Sequence, residues 1–500
     1  MASQPSLFVS DHMPGNISII NYGDKMSSIL ETGNNKAKCQ KFTPNSLVET
    51  MLDMASYTTD LVGKQFLENS FGTGNILKAV VVRYIRYALQ VGYNGEEISS
   101  GLSRDVYGVE LDEMLFDQCK SDLNDITKQY ELPPVDWKLF LGNALELEFD
   151  VKFDFVVGNP PYISYREMDP ESRSALRKKY DSCSIGKFDY CYAFIESGIK
   201  QLKSTGKLVQ LIPNNIYKNV FGQKLRDKLK EHISVVYDYP DQKLFDKTLT
   251  SVSLFLYEQN NNSDSIIYKN ITAKQDRVIS RTSLREKWTF EDEASDQGKE
   301  IRFGDIFNAS ISIATLFNKA YLISEKDIKK EQIEPAVIYK AVSPKSLQHK
   351  KECFIIFPYK YDEARLTRYT VSDFEKLYPN AVKHLRQYSK ELAARNSDKN
   401  SAWFEYGRSQ ALAHLNTEKL LISTVTTRQV EVHKIDEKTI PYSGIYITVK
   451  DPKYSLDDAI NYLKSEQFMA HVRKIGVSVS GESIRITCKD INNFRFIGGQ

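Results

Sequence analysis

The stretch FDFVVGNPPYISY, residues 153–165, decides how the rest of the chain is read. FDFVV has the pattern of a buried β-strand, and it stops abruptly at Asn159-Pro160-Pro161-Tyr162. Two consecutive prolines remove two backbone donors and fix two φ angles, so the chain after Gly158 is stiff and presents carbonyls that no neighbouring strand can use. Asn159 offers a side-chain carbonyl and Pro160 a main-chain carbonyl, two acceptors that can converge on one NH2 group, while Tyr162 offers a π face to a planar ring. Taken alone, the tetrapeptide also reads as an ordinary strand-to-loop turn with a surface tyrosine, because Asn-Pro is a common turn signal.

The residues upstream shift that balance. GKQFLENSFGTGNILKAVVV runs from a strand (Gln65 to Leu67) through Glu68 and a small-residue loop, Gly72-Thr73-Gly74, into a helix from about Asn75. The glycines allow a ligand to approach the backbone, and without a following GK[ST] this is not a phosphate loop. A carboxylate at the strand end favours a ligand with an ammonium group. DVYGVEL gives a second strand ending at Glu110, the position that commonly grips ribose hydroxyls in a Rossmann-like sheet. KLFLGNALELEF gives a third strand that ends at Gly142-Asn143. Ahead of all these, QKFTPNSLVETML predicts a helix with Pro44 in its first turn, and the Thr43 hydroxyl sits near free backbone NH groups, a place suited to a carboxylate. Every polar candidate falls at the C-terminal end of a strand, where parallel helix-covered sheets bind ligands.

Downstream, Gly186 to Leu202 predicts a helix with Phe194 on its apolar side, Gly206 to Tyr217 a fifth strand and loop, and His232 to Tyr239 a sixth. Phe245 stands just ahead of a seventh strand, Ser251 to Tyr257, and the polar stretch EQNNNSD marks the expected edge of the first domain.

Composition fits a globular protein of two or more domains: 500 residues, 41% hydrophobic and 26% charged. With no basic apolar leader and no membrane-spanning run, a cytoplasmic protein is expected. Six scattered cysteines without CxxC imply neither disulfides nor a zinc site, so no metal is expected. The net charge of +2 divides into −5 for residues 1–260 and +7 for the remainder, which makes the second half the better candidate to meet a polyanion.

The order TP helix, ENSFGTG, VEL, GNAL, NPPY, DYCYAF helix, LIPNN strand and late phenylalanine resembles the γ-class DNA adenine N6-methyltransferases of bacterial restriction–modification systems, the TaqI-like group. The resemblance implies an α/β chain: a Rossmann-like S-adenosylmethionine-dependent methyltransferase domain over residues 40–260, after an N-terminal arm of residues 1–39, and a mixed α/β DNA target-recognition domain over 261–500. It assigns Thr43, Glu68, Gly72 and Gly74 to the methionine end of S-adenosylmethionine, Glu110 to the ribose, and Asn143 and Phe194 to the cofactor adenine. Asn159 and Pro160, followed by Pro161, would bind the target amino group, and Tyr162 and Phe245 would sandwich an adenine flipped out of double-stranded DNA. Two places depart from the family pattern. Asn69, Ser70 and Phe71 replace the first three residues of a loop that commonly reads PACGSG, and Asn143 stands where Asp is usual.

The second half resembles the target-recognition domains of TaqI-like and type IIS modification enzymes in residues 301–323, 403–412 and 480–491, with Ser312-Ile313-Ala314-Thr315 where Gly-Ile-Ala-Thr is frequent. Arg408, Ser409 and Gln410 are candidate DNA contacts or, equally, a structural turn. Too few residues precede Gln40 for a fused nuclease, so any cognate restriction endonuclease is expected to be separately encoded. Rival readings are a protein-glutamine or RNA methyltransferase using the same NPPY turn, and a DNA-binding module that has lost catalysis.

Overall fold

In the computed structural model of the chain, the described residues are 43–240, 251–291, 300–362, 365–412, 414–480 and 482–497. The expected arm and Phe245 therefore lie outside the described residues.

Strand alternates with helix as the hydrophobic pattern requires. Strands β1 (Phe66–Glu68), β2 (Val106–Glu110), β3 (Lys138–Leu141), β4 (Phe153–Gly158) and β5 (Leu202–Pro213) are parallel, in the spatial order β3-β2-β1-β4-β5. β7 (Val252–Glu258) is antiparallel and lies between β5 and β6 (Ile233–Tyr239). Consecutive residues of the central strands face opposite sides. Val156 and Leu208 join one apolar cluster, while Val157 and Val209 join the other, so helices cover both faces. On one side pack α1 (Asn45–Met54), α2 (Asn75–Gln90), α3 (Gly95–Asp105) and α4 (Glu113–Gln129). The other side carries α5 (Pro170–Lys179), α6 (Cys191–Gln201) and α7 (Gln223–Lys230).

Local chemistry sets the helix starts. Asn94 and Glu97 form a reciprocal capping box at α3, and the Asp112 carboxylate accepts from the backbone of Met114 and Leu115 at α4. Asp169 followed by Pro170 opens α5 in the same manner. Gly74, ahead of α2, has φ +75°, and a β-carbon there would lie 2.1 Å from Cys119 Sγ of α4. Only glycine permits both the left-handed turn and the close α2–α4 approach.

Three expectations are corrected. The helix expected from Gly186 begins at Cys191, because residues 186–190 turn back so that the Tyr190 N–H bonds the Ile163 carbonyl of the acceptor loop at 2.9 Å. The fifth strand begins at Leu202, not Gly206. The sheet also does not end at Glu258: EQNNNSD is a turn into β8 (Ser265–Asn270), parallel to β6, followed by β9 (Gln275–Ser280). Residues 281–291 then lay Leu284, Trp288 and Phe290 into the catalytic core. Residues 265–291 thus pair or pack with the first sheet, past the edge expected at residue 260.

Beyond residue 291, a four-stranded antiparallel sheet (Phe307–Ile311, Ile445–Val449, Lys419–Ile422, Val432–Ile435) and a second, mixed sheet built on Ile338–Val342 carry two further cores. Within this half the two resemblance motifs meet: Ala314 bridges Arg408, and the Gly407 N–H donates to the Thr315 carbonyl. The 281–291 strap joins the halves through charge. The Lys287 ammonium lies 2.7 Å from the Asp490 carboxylate, both largely buried, and also donates to the Ile475 carbonyl; Lys474 pairs with Glu291 at 3.2 Å. Replacing Lys287 by Met leaves the Asp490 carboxylate buried without its cation, a change expected to cost about 3 kcal/mol. Urea unfolding reads this directly, and an unchanged midpoint would mean the pair does not join the halves.

Candidate active site at the strand ends

Because β1, β2, β4 and β5 are parallel, their C-terminal ends form one rim, and Thr43, Glu68, Gly72, Glu110, Asn159 and Tyr162 gather there. Glu68, the last residue of β1, is 2% exposed, and its carboxylate accepts the Leu77 N–H from the first turn of α2 at 3.1 Å. Burial pushes its pKa well up, with the nearby Glu110 charge adding to the rise. Glu110, at the end of β2, holds the glycine loop in place: Gly72 N–H donates to Oε2 at 2.8 Å, and Leu111 and Asp112 donate to Oε1.

Thr43 ties three segments together. Its carbonyl accepts from Asn75 Nδ2 at 3.0 Å, and its hydroxyl accepts from Asn159 Nδ2 at 3.1 Å. The Asn159 amide is thereby oriented with its oxygen turned away from Thr43. Ser70 Oγ lies 3.4 Å from the Asn159 main-chain oxygen, so the glycine loop touches the acceptor turn directly. Tyr162 is anchored by its hydroxyl, which donates to the Leu211 carbonyl of β5 at 3.0 Å, and burial pushes its phenol pKa well up. Phe194 is buried on α6 with its ring 5.4 Å from that of Tyr190.

Two sets of expected site residues are already occupied. Asn143 Oδ1 accepts from Leu145 N–H while its Nδ2 donates to Glu146, so the side chain caps its own turn. Arg408 pairs with Asp398 at 3.1 Å, and the Ser409 N–H and hydroxyl both donate to the same carboxylate. These contacts lower the Asp398 pKa, the Ser409 backbone bond first among them. The turn reading describes Arg408 and Ser409, and Gln410 is the exposed member of the three.

Sequence reasoning missed Asp189 and Gln210, and read Asn69 only as a departure in the glycine loop. Asp189, between two aromatics ahead of α6, is half-buried, and burial, reinforced by the Glu167 charge, pushes its carboxyl up to about 6. An acid in the FDY stretch next to the acceptor loop was the available signal. Asn69 and Gln210 flank Gly158. Gln210 pairs with it across β4–β5, and Asn69 Oδ1 stands 3.3 Å from where a β-carbon on Gly158 would sit. Both amides are buried, at 3% and 0% exposure, and among the described residues all four polar atoms lack hydrogen-bond partners.

The strand order, helices on both faces and polar groups at one rim define the fold of an S-adenosylmethionine-dependent methyltransferase. The solved structure of the Type IIL restriction-modification enzyme MmeI in complex with DNA shares it, with a TM-score of 0.60 at 12% identity, covering 90% of this chain and 65% of that one.

Sequence comparison is more specific. The profile of the Eco57I restriction-modification methylase family matches residues 85–245. The Type II methyltransferase M.BstVI of Geobacillus stearothermophilus is 23% identical, covering 91% of this chain and 89% of its own. The Type II restriction enzyme and methyltransferase RM.Eco57I of Escherichia coli is 25% identical over 66% of this chain, which spans only 37% of that protein. The chain is thus similar to the methyltransferases of restriction–modification systems, with S-adenosylmethionine as the implied methyl donor.

Gln210→Leu removes two unsatisfied polar atoms at little change in volume and is expected to raise the unfolding temperature by about 2–4 °C. A lower temperature in calorimetry would show that the amide has a partner. Asp189 gives a pH signature. Its folded pKa of about 6 lies above the ordinary value of 3.8, so the stabilisation it provides is present below about pH 4 and lost as pH rises through 6. Asp189→Asn should flatten that part of the stability–pH curve, as measured by urea unfolding at pH 4 to 7.

Proposed function

We propose that the chain is a sequence-specific DNA methyltransferase that transfers a methyl group from S-adenosylmethionine to N6 of an adenine flipped out of the duplex. The observation that carries this reading is the Asn159-Pro160-Pro161-Tyr162 turn, locked to Thr43 and Leu211 at the rim of a methyltransferase sheet.

The rim suits the cofactor. Glu68 is a buried carboxylate for an ammonium group, and Glu110 Oε2, with one bond from Gly72, has a second acceptor position to offer a ribose hydroxyl. Gly72 has φ +55° and no atom within 4 Å of a β-carbon built on it, an opening beside the loop. Phe194 supplies an apolar wall. Asn143, engaged in its own turn, is a weaker candidate for the cofactor adenine than the resemblance implies. Bound there, S-adenosylmethionine supplies a methyl group already activated by the sulfonium charge.

The protein's own part is binding and orientation. The amino nitrogen of adenine is a poor nucleophile because its lone pair is delocalised into the ring. Asn159 Oδ1 and the Pro160 carbonyl, each accepting one N–H, draw that nitrogen toward sp3 geometry and aim the lone pair at the donor. Tyr162, and Phe245 by resemblance, stack on the extruded base. Each such contact is worth about 1–3 kcal/mol against an unstacking cost of a few kcal/mol. No general base is required, since positioning lowers the barrier.

The second half, of positive net charge, is proposed to hold the duplex, with Gln410 its most accessible candidate contact. Any restriction endonuclease partner is part of this proposal, as is a cytoplasmic location. Among the described residues no helix is long and apolar enough to cross a membrane. The second reading, a protein-glutamine or RNA methyltransferase, rests on the likeness of a side-chain amide to an adenine amino group.

The test is incubation of the protein with unmethylated bacterial DNA and methyl-labelled S-adenosylmethionine, followed by nucleoside analysis. N6-methyladenine is expected; N4-methylcytosine alone, or no label in DNA with cofactor bound, would overturn the assignment. Asn159→Ala is expected to abolish transfer while leaving cofactor affinity within about twofold of wild type. An Ala variant that methylates at the wild-type rate would remove the turn from the mechanism.

A further inference from the structure

On the same rim, past the acceptor turn, lies a cavity of about 50 Å3 walled by both halves of the molecule. Asn214, Asn215, Lys218 and Asp238 line it from the ends of β5 and β6, Thr289 from the strap, and Ser478 from strand Val477–Ser480 of the second half. β6 is parallel to β5, since both are antiparallel to β7, so these strand ends point the same way as that of β4. Tyr162 donates to Leu211, and Asn214 stands three residues on, just past the end of β5, about 10 Å away at the rise of a strand.

The cavity's polar groups are sorted by sign. The Asp238 carboxylate is taken up by the wall: Asn214 Nδ2 donates to one oxygen at 3.1 Å and the Tyr268 hydroxyl to the other at 2.9 Å. Lys218 is half-buried, and among the described residues its ammonium has neither an ion pair nor a hydrogen bond; burial lowers its pKa. The side chains of Asn215, Thr289 and Ser478 likewise have no protein partner there. The Asp238 and Glu291 carboxylates attract the ammonium from beyond contact distance, but among the described residues no acceptor touches it, and a half-buried ammonium without a hydrogen-bond partner is costly to maintain. Surrounded by hydroxyls and an amide that can all donate, it is a site for an oxyanion.

We propose that this cavity binds one backbone phosphate of the nucleic-acid strand that carries the target base, with Lys218 as the charge and Asn215, Thr289 and Ser478 as donors. The inference rests on the DNA-methyltransferase reading and deepens it. The seam between the catalytic rim and the second half is where a duplex held by both must pass, and a phosphate clamped there fixes the strand beside the nucleotide that rotates out. Free inorganic phosphate has the same chemistry, and the experiment separates the two sources.

Duplex affinity is measured by fluorescence anisotropy against salt concentration for the wild type, Lys218→Met and Lys218→Arg. Removing one phosphate contact should lower the slope of log K against log salt by about 0.9 in the Met variant, while Arg keeps most of it. The affinity for S-adenosylmethionine, measured without DNA, should stay at the wild-type value in both variants. Asn215→Ala, which keeps the charge, should weaken binding without changing the slope. An unchanged slope in Lys218→Met overturns the proposal. So does an unfolding temperature raised by inorganic phosphate in the wild type but not in Lys218→Met, if the slopes are equal, because the cavity is then a free-phosphate site. Duplex binding is read without methylation, so a wild type that binds DNA but leaves adenine unmodified fails the reaction assignment and still lets the slope decide this one.

Discussion

The hydrogen bond from Asn159 Nδ2 to the Thr43 hydroxyl spans 116 positions in sequence and closes the rim. A Pro-Pro turn cannot be held by strand pairing, since neither proline has an N–H to give. Its orientation has to come from side chains, and here it comes from Thr43 on one side and from Tyr162 bonded to Leu211 on the other. Thr43 is fixed in turn by Asn75 at the start of α2, and α2 starts where it does because Gly74 takes a left-handed turn tight against Cys119. The geometry of the Asn159 turn therefore depends on a chain of contacts running through the glycine loop, and a change in that loop is felt at the turn.

The rim also holds polar groups under conditions that a purely structural core would avoid. Glu68 is buried with one backbone bond and a raised pKa, and Asn69 and Gln210 are buried with none among the described residues. Each unsatisfied buried atom opposes folding by about 1–3 kcal/mol. Selection for stability alone would replace these side chains by apolar ones of the same size. Their clustering around Gly158, one residue before the acceptor asparagine, is the pattern expected where a site is prepared for a ligand instead of for its own packing.

Much of this was legible in the sequence. The motif spacing gave the strand ends at Glu68, Glu110 and Gly158 to within a residue, because a strand that ends at a glycine loop or at Pro-Pro has a sharp chemical stop. What was hidden was which partner inside the protein each polar side chain takes. Nothing local says that Arg408 and Ser409 are claimed by Asp398, or that Asn143 bonds its own turn. Arg and Asn are read from sequence as groups looking for a ligand, and only the fold shows when they have found one at home. EQNNNSD, read as a domain edge, is a turn within one sheet. A polar turn between two strands of one sheet has the same composition as a linker, and the difference lies in whether the next strand, Ser265–Asn270, finds a pairing partner in β6.

That extension of the sheet is what lets the two halves act together. β8 and β9 carry the chain to the strap, whose apolar residues Leu284, Trp288 and Phe290 belong to the catalytic core while Lys287 and Glu291 pair with the second half. The chain between residues 265 and 291 is thus paired or packed and is not a free linker. A strap buried on one side and ion-paired on the other removes that freedom. On the proposed reading, a base extruded at a cost of a few kcal/mol has to arrive at a pocket of fixed position, so the register between the second half and the Asn159 turn would have to be set by the protein. The Lys287–Asp490 pair sits where such a register is set, beside the cavity that Lys218 lines.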